Sequence, residues 1–236
     1  MKQWTTAAGS HVIKITGGRS NVFLISRQGI NVLVDTSPGF MGNRLLKKLR
    51  KHLNSNPEYL FLTHTHFDHA ANAHLIKALY STKIVVHIAE SGFLLSGDSP
   101  LPAGTNVFTS WLVRNFGKAA AGKVKYHGVS PDLMISRETN LSIHGMNIGI
   151  LPTAGHTAGS ISLIIDHELA LVGDTLFGVF PGHCFPPFAD NTGELMNSWQ
   201  LLLNTGCRIF LPSHGSARTY QVLERCLKYQ QSRISR

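Results

Sequence analysis

Apolar positions in this chain come first in short bursts. His11–Thr16, Asn21–Ser26 and Asn31–Asp35 are rich in Val, Ile, Leu and Phe, and they are separated by residues 17–20 and 27–29, where Gly, Ser and Arg collect. That pattern predicts a meander of strands joined by turns. It changes at 41–53, where Leu45, Leu46, Leu49 and Leu53 recur at helical spacing opposite Lys47, Lys48, Arg50 and Lys51. This is an amphipathic surface helix. A strand at 59–63, a helix at 69–80 and a strand at Lys83–His87 follow. The second half predicts strands at 141–144, 146–151, 161–166, 169–173 and 208–212, with helices at 194–204 and 216–231. Sheets with helices outside them imply a layered α/β or α+β fold. A length of 236 residues with no low-complexity linker implies one domain over 1–236.

Residues 92–130 and 177–192 show no clear period, as lids and binding loops often do not. The second is rich in aromatics and turn formers and begins just after Asp174. It is read as a wall of a substrate pocket, with Phe180, His183, Phe185 and Phe188 as candidate lining residues. The first is an even choice between lid and ordinary packing.

The densest chemistry lies in Thr63-His64-Thr65-His66-Phe67-Asp68-His69, directly after the apolar run 59–62. Borderline divalent metals prefer imidazole and carboxylate donors. His64 and His66 are in phase at a strand's end, and Asp68 and His69 approach from the turn beyond, so one peptide can serve two adjacent metals. His156, Asp174 and His214 each stand where an apolar strand stops, and the small residues around His156 let backbone approach an ion. Thr153, Thr157, Ser160 and Thr175 flank these positions and can orient them through hydrogen bonds.

H-x-H-x-D-H at 64–69, G-H-T at 155–157, G-D-T-L-F at 173–177 and S-H-G at 213–215, in this order, resemble the metallo-β-lactamase superfamily. The resemblance covers essentially the whole chain. It implies a four-layer αβ/βα sandwich of two mixed sheets flanked by helices, with the metal site at one edge. It also implies that His64, His66 and His156 hold one cation, that Asp68, His69 and His214 hold a second, and that Asp174 bridges them. Zinc is the first expectation, with iron and manganese as alternatives. A carboxylate at 174, where zinc β-lactamases often carry Cys, resembles the hydroxyacylglutathione hydrolase, lactonase and phosphodiesterase branches. The insertion of RNA-cleaving branches is absent, and so is the helical extension with which glyoxalase II binds glutathione.

The reading that follows is a metal-dependent hydrolase of a small ester, thioester or lactone. Activated water is the nucleophile and Asp68 handles its proton. The alternatives are a phosphodiesterase or nuclease, a mononuclear iron persulfide dioxygenase using His64, His156 and Asp174, and a sensor that binds without turnover. No G-x-S-x-G elbow competes. Adjacent His183 and Cys184 are read as loop or core residues, because sequence neighbours rarely present a thiolate to its base. His127, like His183, can line the pocket. The net charge of +9 suits an anionic small-molecule substrate or a plain basic surface. Nucleic acid is disfavoured, since no stacking aromatics accompany the basic helix. Three cysteines without C-x-x-C spacing, no leader pattern and no long apolar run place the chain in the cytoplasm, away from a membrane.

Overall fold

Period-two alternation sends Val32 and Val34 to one face of their strand and Leu33 to the other, and all three are buried. A strand buried on both faces needs a layer on each side, and the computed structural model supplies them. It describes residues 2–17, 19–122 and 124–234; Gly18, in the turn expected at 17–20, lies outside these. Among the described residues one sheet has seven strands in chain order: β1 (Gln3–Thr5), β2 (His11–Thr16), β3 (Val22–Arg27), β4 (Ile30–Val34), β5 (Pro57–Phe61), β6 (Lys83–His87) and β7 (Leu133–Ile135). The first three junctions are antiparallel and the last three parallel.

The second sheet comprises β8 (Thr139–Ile143), β9 (Met146–Pro152), β10 (Ile161–Ile165), β11 (Leu169–Gly178), β12 (Ile209–Gly215) and β13 (Arg218–Thr219), in the reverse spatial order β13 to β8. Only the β11–β12 junction of this sheet is parallel. Inward side chains such as Phe23, Ile25, Val34, Phe61, Ile148, Leu163 and Leu171 form one core between the sheets. On the outer face of the first sheet, Leu24, Leu33 and Leu60 pack against α1 (Gly42–His52) and α3 (Ala73–Tyr80) through Leu45, Leu49 and Ile76. On the outer face of the second, Ala170, Val172 and Phe210 meet α6 (Thr192–Asn204) and α7 (Tyr220–Ile234) through Trp199, Leu202 and Leu223. The result is the expected αβ/βα sandwich. No helix among the described residues is long and apolar enough to cross a membrane.

Three departures from the sequence pattern have local causes. The helix expected at 69–80 is broken into α2 (Phe67–Ala70) and α3, where Thr36 takes the ladder groups: its N and Oγ1 each donate to His69 O at 2.7 Å, and its Oγ1 accepts from Asn72 N at 3.1 Å. The helix expected at 216–231 begins at Tyr220, after β13 has paired with β12. The featureless stretch 92–130 contains α4 (Ser91–Ser96) and the long α5 (Val107–Ala121). Val107, Phe108, Trp111, Leu112 and Phe116 on α5 are all exposed, so its apolar positions do not mark a core-facing stripe.

Candidate metal centre

Parallel strands deliver their C-terminal ends to one edge, and loops leaving that edge are the usual seat of a ligand. Asp35 follows β4. Residues 62–66 leave β5 as an extended segment, and α2 starts at Phe67. Across the sandwich, β11 carries Asp174 and its parallel neighbour β12 carries His214. His156 sits in the loop between β9 and β10. The approach is tight: Gly173 has φ +53°, and a Cβ there would lie 2.7 Å from Thr63 Cβ, beside His64. Gly155, by contrast, serves packing rather than close approach to an ion, since its Cβ would lie 2.4 Å from Leu195 N at the start of α6.

All seven proposed ligand side chains converge. Donor atoms of His64, His66 and His156 lie within 4.8 Å of one another, as do those of His64, His69 and Asp174, and those of Asp68, His69 and His214. Asp174 Oδ2 stands 3.3 Å from His214 Nε2 and 3.7 Å from His156 Nε2, so one carboxylate reaches both sides of the cluster. Asp68 Oδ2 is 3.3 Å from His214 Nε2.

The donor set fits a cation. His156 Nδ1 lies 2.9 Å from Phe188 O, and because a carbonyl can only accept, the proton sits on Nδ1 and the Nε2 lone pair faces inward. His69 Nδ1 likewise donates to Asp35 Oδ2 at 2.9 Å. The inward His64 Nε2, His69 Nε2 and Asp174 Oδ1 are buried without any hydrogen-bond partner, an expensive arrangement unless something charged and electron-accepting binds there.

Electrostatics divide the cluster. Burial, followed by repulsion from His69 and its other imidazole neighbours, pushes His64 well below the ordinary histidine range. Burial and the nearby His156 and His69 bring His66 down to about 3. Both are therefore neutral donors at physiological pH. In the other half burial opposes the charged form of His69, but Asp68, Asp174 and Asp35 overcome it and hold the imidazole up at about 9. His214 is raised to about 11 against burial by Asp174 and Asp68. Asp174 is correspondingly depressed: burial would raise it, and His214 and His69 outweigh that.

A measurable consequence follows for loading. Coordination needs neutral imidazole, so at pH 7–8 cation binding must expel the protons carried by His69 and His214. We expect release approaching two protons per chain, falling toward one as pH rises through about 9, where His69 is already neutral. Isothermal titration in buffers of different ionisation enthalpy reads this directly, and a buffer-independent heat at pH 7.5 would contradict it.

Two carboxylates outside the motifs hold the candidate ligands in place. Asp35, 1% exposed, accepts from Thr63 N at 2.9 Å, Thr63 Oγ1 at 2.9 Å, Ser213 Oγ at 2.9 Å and His69 Nδ1. It thus ties β4, the 63–69 segment and β12 together. Glu90, also buried, accepts from Thr65 N at 3.0 Å and from Thr65 Oγ1, while Tyr126 Oη donates to Thr65 O at 2.7 Å. Thr65 lies between His64 and His66, so this clamp fixes the peptide that carries both. The signal available in sequence was an acidic residue at a strand end (Asp35); nothing marked Glu90. The threonines and serines around His156 and Asp174 bond to one another instead of to the ligands. Thr153 Oγ1 is 2.8 Å from Ser162 Oγ, Thr157 Oγ1 is 2.9 Å from Ser160 Oγ, and Thr175 Oγ1 donates to Thr153 O at 3.3 Å.

A cavity of about 330 Å³ opens onto the candidate ligands, and His66, Asp68, His156, Asp174 and His214 line it. Of the four candidates in 177–192, Phe188 lines this cavity and the other three do not. Phe185 packs edge-on against Trp199 in the outer core, with centroids 5.7 Å apart. The Arg218 guanidinium donates to Phe180 O and His183 O, and that turn leaves both side chains in solvent. His127 stacks on His74 away from the cavity. Cys184 is buried, and its thiol is pushed up by Cys226 and burial, which suits a packing role. Residues 92–130 do contribute a wall, through Leu112, Val113 and Phe116 of α5.

A histidine and aspartate cluster at the edge of an αβ/βα sandwich fits a metal site. The model of the metallo-β-lactamase superfamily matches residues 15–214, and the chain belongs to that family. It is 30% identical over 187 residues to a probable metallo-hydrolase of Methanocaldococcus jannaschii, covering 79% of this chain and 81% of that protein. It is 29% identical over 169 residues to the hydroxyacylglutathione hydrolase GloC of Haemophilus influenzae, covering 70% and 71%. Among solved structures, a metallo-β-lactamase from Cronobacter sakazakii superposes with TM-score 0.71 at 14% identity, covering 100% of this chain and 93% of that one. An archaeal superfamily member from Sulfolobus tokodaii gives 0.68 at 18% identity, covering 94% and 86%. At those identities the structural likeness speaks for the fold alone.

Proposed function

We propose that this chain is a metal-dependent hydrolase that cleaves a small carboxylic ester, thioester or lactone with water. The observation that carries this reading is the convergence of seven donor side chains, five of which line one cavity, with Asp174 within 3.3–3.7 Å of imidazoles from both sides of the cluster. His64, His66 and His156 would hold one divalent cation, Asp68, His69 and His214 a second, and Asp174 both; zinc fits this donor set, as do iron and manganese. Bound there, such cations supply Lewis acidity and bring the pKa of water down toward ~7. Asp68 lines the cavity, with its Oδ2 3.3 Å from His214 Nε2. Its carboxylate is therefore placed to orient the attacking water and take its proton. His156 is held by Phe188 O and His69 by Asp35, so neither turns during the reaction.

The hydroxyacylglutathione hydrolase relative supports thioester chemistry in particular. Phosphodiesters fit less well, because no Lys or Arg among the described residues lines the cavity. We expect close to two metal equivalents per chain by elemental analysis after purification without chelator. Activity on a panel of thioesters and lactones should be abolished by chelation and restored by zinc. Full turnover by a stoichiometrically metal-free preparation would refute the reading.

A further inference from the structure

The cavity has two chemically different ends. One is the ligand cluster. The other is hydrocarbon: Leu101, Leu112, Val113, Phe116, Pro186 and Phe188. Backbone groups in that wall are already spent. Phe188 O accepts from His156 Nδ1, Pro187 O from Thr105 N at 3.0 Å, and Pro186 O from Thr105 Oγ1 at 2.8 Å. Ala189 N donates to Ala103 O at 2.9 Å, so residues 103–105 are zipped to 186–189 and fix the start of α5 over the cavity. In a chain of net charge +9, none of the described Lys or Arg side chains faces this space. A charged group placed there would lose its water without gaining a partner. Leu112 and Phe116 line the cavity yet are 37% and 53% exposed, apolar surface that a hydrocarbon ligand would cover.

We propose that the acyl portion of the substrate is uncharged and apolar, an aliphatic or aryl chain lying between α5 and the 186–188 segment with its carbonyl at the ligand cluster. This names the substrate class of the hydrolase reading above and rests on it. Specificity then resides in the acyl group, and a polar or charged acyl group is rejected by the wall. Among the described residues no Lys or Arg takes part in recognition at this site.

The test varies acyl group and carrier separately on the zinc-loaded full chain. With one small uncharged thiol as carrier, kcat/KM should climb about two- to fourfold per added methylene from acetyl toward octanoyl, since full burial of a CH2 is worth ~0.8 kcal/mol. Succinyl thioesters should react far more slowly than butyryl ones. Exchanging the carrier for glutathione at constant acyl group should change little. Phe116→Ala and Leu112→Arg should flatten the chain-length slope. Affinities of straight-chain alkyl hydroxamates, measured by isothermal titration, should rise with length in parallel and report on the wall without turnover. A flat series in both measurements, or a preference for succinyl, would overturn the proposal while leaving hydrolysis intact. Inertness toward every ester and thioester, with the hydroxamate slope preserved, would instead overturn the hydrolase reading and with it the acyl substrate.

Discussion

Asp68→Ala should lower turnover by about 10²–10⁴-fold, the usual worth of a positioned proton acceptor, while thermal unfolding stays close to that of the parent. The asymmetry follows from where the side chain sits. It faces the cavity, and its carboxylate meets His69 and His214 of the cluster, so its loss is felt at the site more than in the packed layers. Its carboxylate oxygens lie 3.3 Å from His214 Nε2 and 3.7 Å from His69 Nε2. Alanine removes a donor and a base together, and Asp68→Asn separates them. The amide keeps one oxygen for coordination but cannot accept the proton of water. If Asp68→Asn retains its metal content yet loses turnover to the same extent, the base role stands. If it retains both, Asp68 is a ligand only.

Side chains in this protein were legible from sequence when their role was local. The strand His11–Thr16 and the strand Lys83–His87 have the expected bounds, because each is a short run rich in Val and Ile with Val12, Ile15, Ile84, Val85 and Val86 buried. The 64–69 cluster announces itself because four donors fall within six consecutive residues. The remote ligands His156, Asp174 and His214 were legible as donors at strand ends, and their convergence depends on which strand ends the topology gathers. Residues whose role is relational were not legible. Asp35 meets Thr63, His69 and Ser213 from 28, 34 and 178 residues away, and no periodicity encodes that. Helix α5 escaped notice because its apolar side chains face a cavity and solvent in place of a core. The aromatics of 177–192 looked alike in composition. What divides Phe188 from Phe180 and Phe185 is the hold of Arg218 on one turn and of Trp199 on one ring.

Asp35 also offers the sharpest separation between stability and metal affinity. Asp35→Ala removes the acceptor for four buried donors: Thr63 N, Thr63 Oγ1, Ser213 Oγ and His69 Nδ1. An unsatisfied buried polar group costs ~1–3 kcal/mol, and some of these groups will find other partners, so a loss on the order of 3–5 kcal/mol is expected. That is a large share of the ~5–15 kcal/mol of a typical domain. Asp35 also has φ +61°, a left-handed conformation that Asp and Asn tolerate better than Ala. Asp35→Asn keeps that backbone preference and an oxygen for Thr63, and its expected stability cost is correspondingly smaller. Its amide NH2, however, cannot accept from His69 Nδ1. Once a cation has displaced one proton from the imidazolium, the neutral ring then favours keeping the other on Nε2, because Nδ1 has lost its acceptor. A protonated Nε2 cannot coordinate, so metal affinity should fall by 10–100-fold, the usual effect of losing a partner that orients a ligand. Competition against a chelator of known affinity, alongside urea unfolding, measures both quantities. Asp35→Asn with parental metal affinity would show that the carboxylate serves the fold alone and does not set the tautomer of His69.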